Sequence, residues 1–229
     1  MKTLCIDIGG TGLKCAVVDP RGALLCERER VKTPRPATPK AVVMALGELV
    51  SKMPEFDRVS VGFPGVVVDG VVRTAPNLDG PWPDFELAVA IAELTDKPTR
   101  AANDADVAGL GAVEGKGVEL LLTLGTGIGA GQYLDGKLIP NLELGHHPFR
   151  KGHSYEDYLR DSELKRIGKR RWNRRLRRVI AQLDPVFNYR VLYLGGGNAR
   201  KIEGELPDNV RVVDNLAGVI GGVKLWQDS

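Results

Sequence analysis

The feature that most constrains the fold is a glycine-rich loop between two apolar runs, and the chain contains it twice. Residues 5–19 read CIDIGGTGLKCAVVD, and residues 119–139 read ELLLTLGTGIGAGQYLDGKLI. In both stretches an apolar run predicts a β-strand, a loop of glycine and threonine follows, and a second strand leads into a tight turn. This repeated order predicts an α/β protein with two similar domains.

The segments after each hairpin add helices and further strands. Thr38 is a candidate N-cap with Pro39 in the first helical position, and apolar residues then recur at helical spacing as far as Pro54. Further strands are predicted at 23–31, 59–63 and 190–194, and further helices at 105–114 and 164–183, the last interrupted at Gly168. The predicted domains are residues 1–104 together with a C-terminal helix at about 215–229, and residues 105–214.

Charge and cysteine content limit the classes of protein. The net charge is only +3, but residues 165–178, KRIGKRRWNRRLRR, hold nine Lys or Arg and no acid, so the remainder is acidic. Cys5, Cys15 and Cys26 form no CxxC pair and have no histidine at ligand spacing, so we expect buried thiols rather than disulfides or a metal site. Without an apolar run of membrane length or a leader, we expect a cytoplasmic protein that does not contact membranes.

The glycine clusters are candidate phosphate sites, because residues without a Cβ let backbone N–H groups converge on an anion. Asp7 is predicted to hold Mg²⁺ through water, and Lys14 either steadies phosphate charge or points into solvent. For the first loop alone, an irregular hairpin or bulge is an equal alternative. Neither the P-loop spacing nor G-x-G-x-x-G is present. The predicted phosphate- and nucleotide-binding residues of the three clusters are Gly9, Gly10, Thr11, Gly12, Gly125, Thr126, Gly127, Gly195, Gly196 and Gly197.

Five motifs in a fixed order carry a family resemblance. They are IDIGGTGLK, NDAD, LLTLGTGIGAG, LELGH and LYLGGGN. With them, residues 3–225 resemble the sugar kinases of the ROK family, and within it the polyphosphate glucokinase branch. The resemblance implies the actin/hexokinase-like ATPase fold, two RNase H-like domains with a cleft between them. It also implies transfer of a phosphoryl group from polyphosphate or ATP, with Mg²⁺, to the 6-hydroxyl of glucose or a related hexose.

The same resemblance implies the residues of the acceptor site. Asp104 is the expected general base, and Asn103 is expected to bind a sugar hydroxyl. From the residues alone, a helix cap at Asn103 or Asp104 is the favoured alternative, and a Glu–His pair is more often structural. His147 and His153 are expected at the surface. The other expected sugar contacts are Gly65, Asn77, Glu143, His146 and Glu156, the last within a region that aligns poorly.

Two segments differ from the family pattern or add to it. The CxCGxxGC zinc motif of many ROK proteins is absent after His146, so no zinc is expected. The basic segment is predicted as an amphipathic helix, for which a solvated face, a polyphosphate site and a nucleic-acid site are all open. The absence of a helix-turn-helix extension and of interleaved aromatics argues against nucleic acid. The residues assigned to polyphosphate are Arg174, Arg175, Arg177 and Arg178.

Alternatives to a glucose kinase also stay open. One is a catalytically inactive ROK-like protein that senses a sugar or nucleotide, although the complete set of Asp7, Asp104, Glu143 and His146 argues against it. Another is a kinase for mannose or an N-acetylated hexosamine. A homodimer is also an open alternative.

Overall fold

The computed structural model describes residues 1–213 and 217–227. The chain divides into two compact units, the first from Met1 to Gly111 with the residues from Gly218 onward, and the second from Ala112 to Ala217. The division proposed from the sequence, with its boundary at residue 104/105, stays a proposal. Residues 215–216 and 228–229 of the predicted C-terminal helix lie outside the described residues.

The first unit is an α/β layer around a five-stranded sheet. The strands of the whole unit are β1 (Thr3–Ile8), β2 (Gly12–Val18), β3 (Glu29–Lys32), β4 (Arg58–Phe63), β5 (Val67–Val68), β6 (Val71–Val72) and β7 (Thr99–Asn103). Its helices include α1 (Pro39–Val50), α2 (Leu87–Thr95) and α3 (Asp104–Ala112). The sheet order is β3-β2-β1-β4-β7. The first three strands run antiparallel, whereas β4 and β7 run parallel to β1.

The second unit repeats this plan. Its strands are β8 (Val118–Leu124), β9 (Ile128–Leu134), β10 (Lys137–Ile139), β11 (Pro148–Arg150), β12 (His153–Ser154), β13 (Val191–Gly195) and β14 (Val210–Val212). Its helices are α4 (Tyr155–Leu159), α5 (Asp161–Ile167) and α6 (Lys169–Phe187), and α7 (Ala217–Lys224) follows. The sheet order β10-β9-β8-β13-β14 has the same strand directions as the first sheet. Two sheets with one order define the RNase H-like pair of the actin/hexokinase-like fold.

Each unit has its own apolar core. In the first unit, Trp82 is fully buried with α1 and α2 residues, and its Nε1 donates to the carbonyl of Ala37 at 2.9 Å. In the second unit, Trp172 of α6 is fully buried, and its Nε1 donates to the carbonyl of Leu159 at 2.7 Å. Burial of both the ring and the polar atom of each tryptophan fixes the helices on their sheets.

Several local predictions are confirmed and others need correction. Thr38 caps α1 by accepting the Ala41 amide, with Pro39 in the first helical position. The helix predicted at 164–183 is split at Gly168, whose φ of +78° ends α5 and begins α6. The strand predicted at 23–31 forms only from Glu29 to Lys32; nearer its start, Leu24 makes a single bridge with Val18, and the Val17 amide bonds to the thiol of Cys26. Cys5 and Cys15 are buried as predicted, and Cys26 is half-buried.

Candidate active site

The first glycine loop, residues 9–11, joins β1 to β2 at the carboxyl end of β1. Its carbonyl oxygens are held by the segment that follows β3: the Thr33 hydroxyl donates to Gly9 O at 2.6 Å, and Arg35 Nη2 donates to Gly10 O at 2.7 Å. Among the described residues, no group accepts a hydrogen bond from the backbone N–H of Gly10 or Thr11. The loop therefore presents two amide donors while its acceptors are occupied, which suits an anion.

Asp7 and Lys14 lie directly opposite each other in the β1–β2 ladder, next to this loop. Lys14 Nζ is 2.7 Å from Asp7 Oδ2, and the two side chains are 44% and 47% exposed. Lys14 therefore does not simply point into solvent. A half-exposed carboxylate at this place is available to water and to ions that arrive with phosphate.

The expected acceptor residues of the first unit lie at the carboxyl ends of β4 and β7. A Cβ at Gly65 would overlap the carbonyl oxygen of Thr74, so only glycine fits between the two backbone segments. The Gly65 carbonyl accepts from Asn103 Nδ2 at 3.2 Å. A Cβ at Gly10 would lie 3.3 Å from Asn77, which places the Asn77 turn against the phosphate loop.

Asn103 ends β7 and Asp104 begins α3. Asn103 Oδ1 accepts the amides of Ala105 and Asp106 at 2.8 and 3.3 Å, so this side chain caps the helix. The capping alternative is thus correct for Asn103, whose carboxamide is buried and bonded at both ends. Asp104 is half-buried, and its backbone packs on Gly62, the β4 partner of Asp7 in the sheet. Asp7 and Asp104 therefore lie at one carboxyl edge of the parallel strands, where α/β sheets bind ligands.

The second unit forms an equivalent loop from residues 125–127. The Gly125 amide donates to Gly127 O at 3.1 Å, and Gly125 O accepts from the Asp161 amide at 2.9 Å. Within the part of the chain that is described, the amides of Thr126 and Gly127 have no hydrogen-bond acceptor. The two loops thus share one arrangement, in which two consecutive amides are available as donors.

The third glycine cluster packs beside this second loop. Gly196 has a φ of +84°, and a Cβ there would lie 2.6 Å from the carbonyl oxygen of Leu124, the last residue of β8. The Asn198 amide donates to the same carbonyl at 2.9 Å. A Cβ on Gly197 would meet nothing within 4 Å. Gly195, which ends β13, and the two glycines after it therefore bring an open backbone surface next to Gly125.

Glu143, His146 and Glu156 meet around the second loop. His146 Nε2 lies 3.3 Å from Glu143 Oε2, and Glu156 Oε2 accepts the Ile128 amide at 3.0 Å. A Ser154–Asp157 capping box starts α4 and sets the direction of Glu156. Burial raises the pKa of Glu143, His146 opposes this shift and Glu156 adds to it. Glu156 thus belongs to the same cluster as Glu143 and to the glycine loop.

The four arginines assigned to polyphosphate do not share one environment. Arg175 Nη1 binds Glu163 Oε1 at 2.6 Å, and its guanidinium lies 4.3 Å from the Tyr158 ring centroid. Arg174, Arg177 and Arg178 are exposed and have no carboxylate partner among the described residues. Arg175 is therefore part of the packing of the second unit, unlike the other three.

Sequence reasoning missed the residues that hold the loops in place. Thr33 and Arg35 bind the first loop, while Asp161 and Asn198 lie against the second, with Asn198 Nδ2 3.5 Å from Gly125 O. Asn198 directly follows the glycine cluster, which was a usable signal. Thr33 and Arg35 lie more than twenty residues after the loop, and no local pattern marks them.

The described residues contain neither a metal cluster nor a membrane-spanning helix. Across residues 1–213 and 217–227, no three His, Cys, Asp or Glu side chains cluster as a metal site would require. In the same residues, no helix combines the length and the apolar character needed to span a bilayer.

The fold and the paired glycine loops define a class of phosphotransferase-like α/β proteins, and comparison with known proteins identifies the family. The ROK family model matches residues 3–155. The chain belongs to the ROK family. It is 36% identical to the polyphosphate glucokinase of Mycobacterium leprae, over 94% of this chain and 72% of that protein.

Two solved structures extend this comparison. The inorganic polyphosphate/ATP-glucomannokinase of Arthrobacter sp. strain KM is 34% identical with a TM-score of 0.88, covering 98% of this chain and 97% of that one. A ROK family glucokinase of Streptomyces griseus, solved with glucose and AMPPNP, is 23% identical with a TM-score of 0.83 over both whole chains. The latter supports the fold alone. Together they confirm the predicted actin/hexokinase-like fold.

Proposed function

We propose that this protein is a sugar kinase that transfers a phosphoryl group from polyphosphate or ATP to the 6-hydroxyl of glucose or a related hexose. The observation that carries the proposal is similarity along nearly the whole chain to a polyphosphate glucokinase and to a polyphosphate/ATP-glucomannokinase. A cytoplasmic location is part of the proposal. The name of the second relative favours mannose as a further acceptor.

Each glycine loop is a candidate site for donor phosphates. Each loop offers two consecutive amides, at Gly10 and Thr11 and at Thr126 and Gly127, and the Thr11 and Thr126 side chains are exposed for a further contact. The open backbone at Gly197 suits the flat approach of a base or ribose when the donor is ATP.

Asp104 would act as the general base. Its carboxylate takes the proton of the sugar 6-hydroxyl while that oxygen forms a bond to the terminal phosphorus and the bridging oxygen of the donor leaves. Asn103, bonded to Gly65 and to the start of α3, fixes the backbone on which Asp104 is carried. The proposed role of Asn103 as a hydroxyl contact is secondary to this positioning role.

The residues proposed for the other sugar hydroxyls are Glu143, His146 and Glu156 of the second unit and Asn77 of the first. Carboxylates accept hydrogen bonds, and an imidazole donates or accepts, so the set matches the alternating O–H groups of a hexose. The Glu156 contact with the Ile128 amide ties this cluster to the loop that would hold the donor.

The residues around Asp7 fit a magnesium ion that arrives with the donor. Mg²⁺ keeps several waters and is usually bound by one or two carboxylates plus substrate phosphates, and Asp7 supplies a half-exposed carboxylate beside the first loop. When bound, the ion would neutralise charge on the transferred phosphoryl group. Lys14 would share this role and orient Asp7.

A donor-by-acceptor matrix tests the proposal. Purified protein with Mg²⁺ is given ATP, tripolyphosphate or long-chain polyphosphate, and glucose, mannose or N-acetylmannosamine, and the products are identified by phosphorus NMR. We expect hexose 6-phosphate with glucose and mannose. Binding of glucose without product in any combination would instead indicate a sensing protein, and product only with N-acetylmannosamine would change the acceptor.

A further inference from the structure

One face of α6 carries arginines that the phosphoryl transfer described above does not use. They recur at positions i, i+1, i+4, i+7 and i+8, so they lie along one side of the helix. All five are exposed, and they extend over about 12 Å of the helix axis. We call this surface the arginine stripe, and it consists of Arg170, Arg171, Arg174, Arg177 and Arg178.

The carboxylates near the basic segment are bound to other cations. Glu163 pairs with both Arg166 and Arg175, neither of which belongs to the stripe. Among the described residues, no carboxylate lies within 4.0 Å of a stripe guanidinium. The carboxylates near the basic segment pair instead with cations outside the stripe. These ion pairs are Lys165 with Asp161, Arg166 and Arg175 with Glu163, and Lys169 with Glu203.

Two stripe residues are oriented by neutral groups. Arg177 donates to the carbonyl of Glu203, and Arg178 Nη1 donates to the Tyr158 hydroxyl at 3.1 Å. These contacts hold the side chains without neutralising them. The opposite face of α6 is buried through Trp172 and Leu176, so the helix presents its charges from a fixed position.

The position of the charges in α6 is unfavourable for the helix itself. Its first turn contains no acidic residue and includes Arg170 and Arg171, whereas α5 begins with Asp161 and Glu163 and ends with basic residues. Cations at a helix N-terminus oppose the helix dipole, so helix stability does not explain this arrangement. A bound polyanion would remove that repulsion.

We propose that the arginine stripe binds the part of an inorganic polyphosphate chain that lies beyond the reacting phosphates. This rests on the proposed function, because the chain is assigned there as a donor. A repeating polyanion meets several guanidinium groups at once and releases counterions, whereas the short triphosphate of ATP is taken up by the glycine loops.

Contacts within the second unit connect the stripe to the second loop. Tyr158, which binds Arg178, lies on α4 with Glu156, and Glu156 holds the Ile128 amide. The Asp161 amide at the start of α5 binds Gly125 O, and Gly168 alone separates the end of α5 from the start of α6. The stripe helix α6 therefore packs against α4 and α5, and these two helices supply the contacts to residues 125–128.

The test replaces three stripe residues that bind nothing within the described residues. The variant is Arg170→Gln/Arg171→Gln/Arg174→Gln, which keeps helix propensity. The matched control is Lys40→Gln/Lys52→Gln/Lys97→Gln, which removes three exposed charges of the first unit. KM and kcat are measured for long-chain polyphosphate, tripolyphosphate and ATP over a range of salt concentration.

We expect the stripe variant to raise KM for long-chain polyphosphate about tenfold, and to make that KM less dependent on salt. KM for ATP and tripolyphosphate should change less than about twofold, kcat should not change, and the control should match wild type. Equal changes with all donors, or no change, would overturn the proposal. The proposal would also be overturned if the stripe variant lost binding of single-stranded RNA while its KM for long-chain polyphosphate stayed unchanged.

A binding measurement separates this inference from the proposed function. If wild type phosphorylates no sugar with any donor, the proposed function fails, and fluorescence anisotropy with labelled long-chain polyphosphate then tests the stripe alone. About tenfold weaker binding by the stripe variant than by the lysine control would support the site. Equal binding by both variants would overturn it.

Discussion

At the scale of single residues, the proposed reaction depends most on Asp104. Asp104→Asn removes the base but keeps the side-chain volume, so we expect glucose binding to persist while kcat falls roughly 10²- to 10⁴-fold. A coupled assay for glucose 6-phosphate and calorimetric titration of glucose measure the two quantities. Asp208→Asn, at an exposed site, is the control. Near-normal turnover in Asp104→Asn would remove Asp104 from the role of base.

Two adjacent glycines offer a matched pair for the third cluster. Gly196→Ala places a Cβ against the Leu124 backbone at positive φ, so we expect the free energy of unfolding to fall by about 1–3 kcal/mol. In Gly197→Ala the added Cβ points into open space, so the free energy of unfolding should change by no more than about 0.5 kcal/mol. Urea unfolding of both variants measures this difference. Similar losses in the two would show that Gly196 is not specifically required.

At the scale of elements, Glu163 joins α5 to α6. The hydrogen bonds of Arg166 and then Arg175 lower the pKa of Glu163 to about 2, so its carboxylate is ionised at neutral pH. Glu163→Gln should lower the free energy of unfolding by about 1–3 kcal/mol at neutral pH. Because the folded pKa is lowered, this stabilisation is complete above the ordinary glutamate pKa of 4.5 and disappears as pH falls toward 2.

Urea unfolding of wild type and Glu163→Gln across this acidic range measures the effect. Glu205→Gln, at an exposed glutamate, is the control. The difference in the free energy of unfolding between wild type and Glu163→Gln should become smaller as the pH falls. A gap that does not depend on pH would mean that the ion pairs contribute nothing.

Local patterns predicted the elements well where local chemistry decides them. Thr38 and Pro39 start α1 as expected, because a helix cap depends on a few neighbouring residues. The absence of a strand just before Glu29 was not predictable from the sequence. In that segment the Cys26 thiol accepts the Val17 amide. Whether the hydrogen-bond ladder continues depends on the partner strand. The sequence of one strand does not show which residues of the partner it will face.

At the scale of the whole molecule, the sequence revealed the duplication but not the residues that support it. The shared glycine–threonine hairpins predicted two similar domains, and both sheets have the same strand order. The candidate site was only partly predictable. Asn103 lies in a family motif, and Glu156 was expected from the resemblance in a region that aligns poorly. Thr33 and Arg35 contact the first loop through folding of a distant segment. Such contacts arise from tertiary packing, so no local pattern marks them.

The last helix tests how the chain is divided, because α7 follows the second unit in sequence but packs in the first. Trp226 Nε1 donates to Ser60 Oγ at 2.8 Å, and Ser60 donates to the carbonyl of Gly222. The Arg58 and Arg100 guanidinium carbons lie 5.0 and 4.5 Å from the Trp226 ring. These contacts connect α7 and the turn directly after it to β4 and β7, so loss of the ring should loosen the first unit specifically.

We therefore expect Trp226→Ala to lower the free energy of unfolding of the first unit by about 2 kcal/mol, the sum of one hydrogen bond and two cation–π contacts. Trp226→Phe keeps an aromatic ring for the cations but loses the N–H donor, so its loss should be about half as large. Hydrogen exchange measures this by element: protection should fall in β4 and β7 and stay unchanged in β8 and β13. Equal loss in all four strands would mean that α7 stabilises both units together, and the two-unit division would then have no energetic meaning.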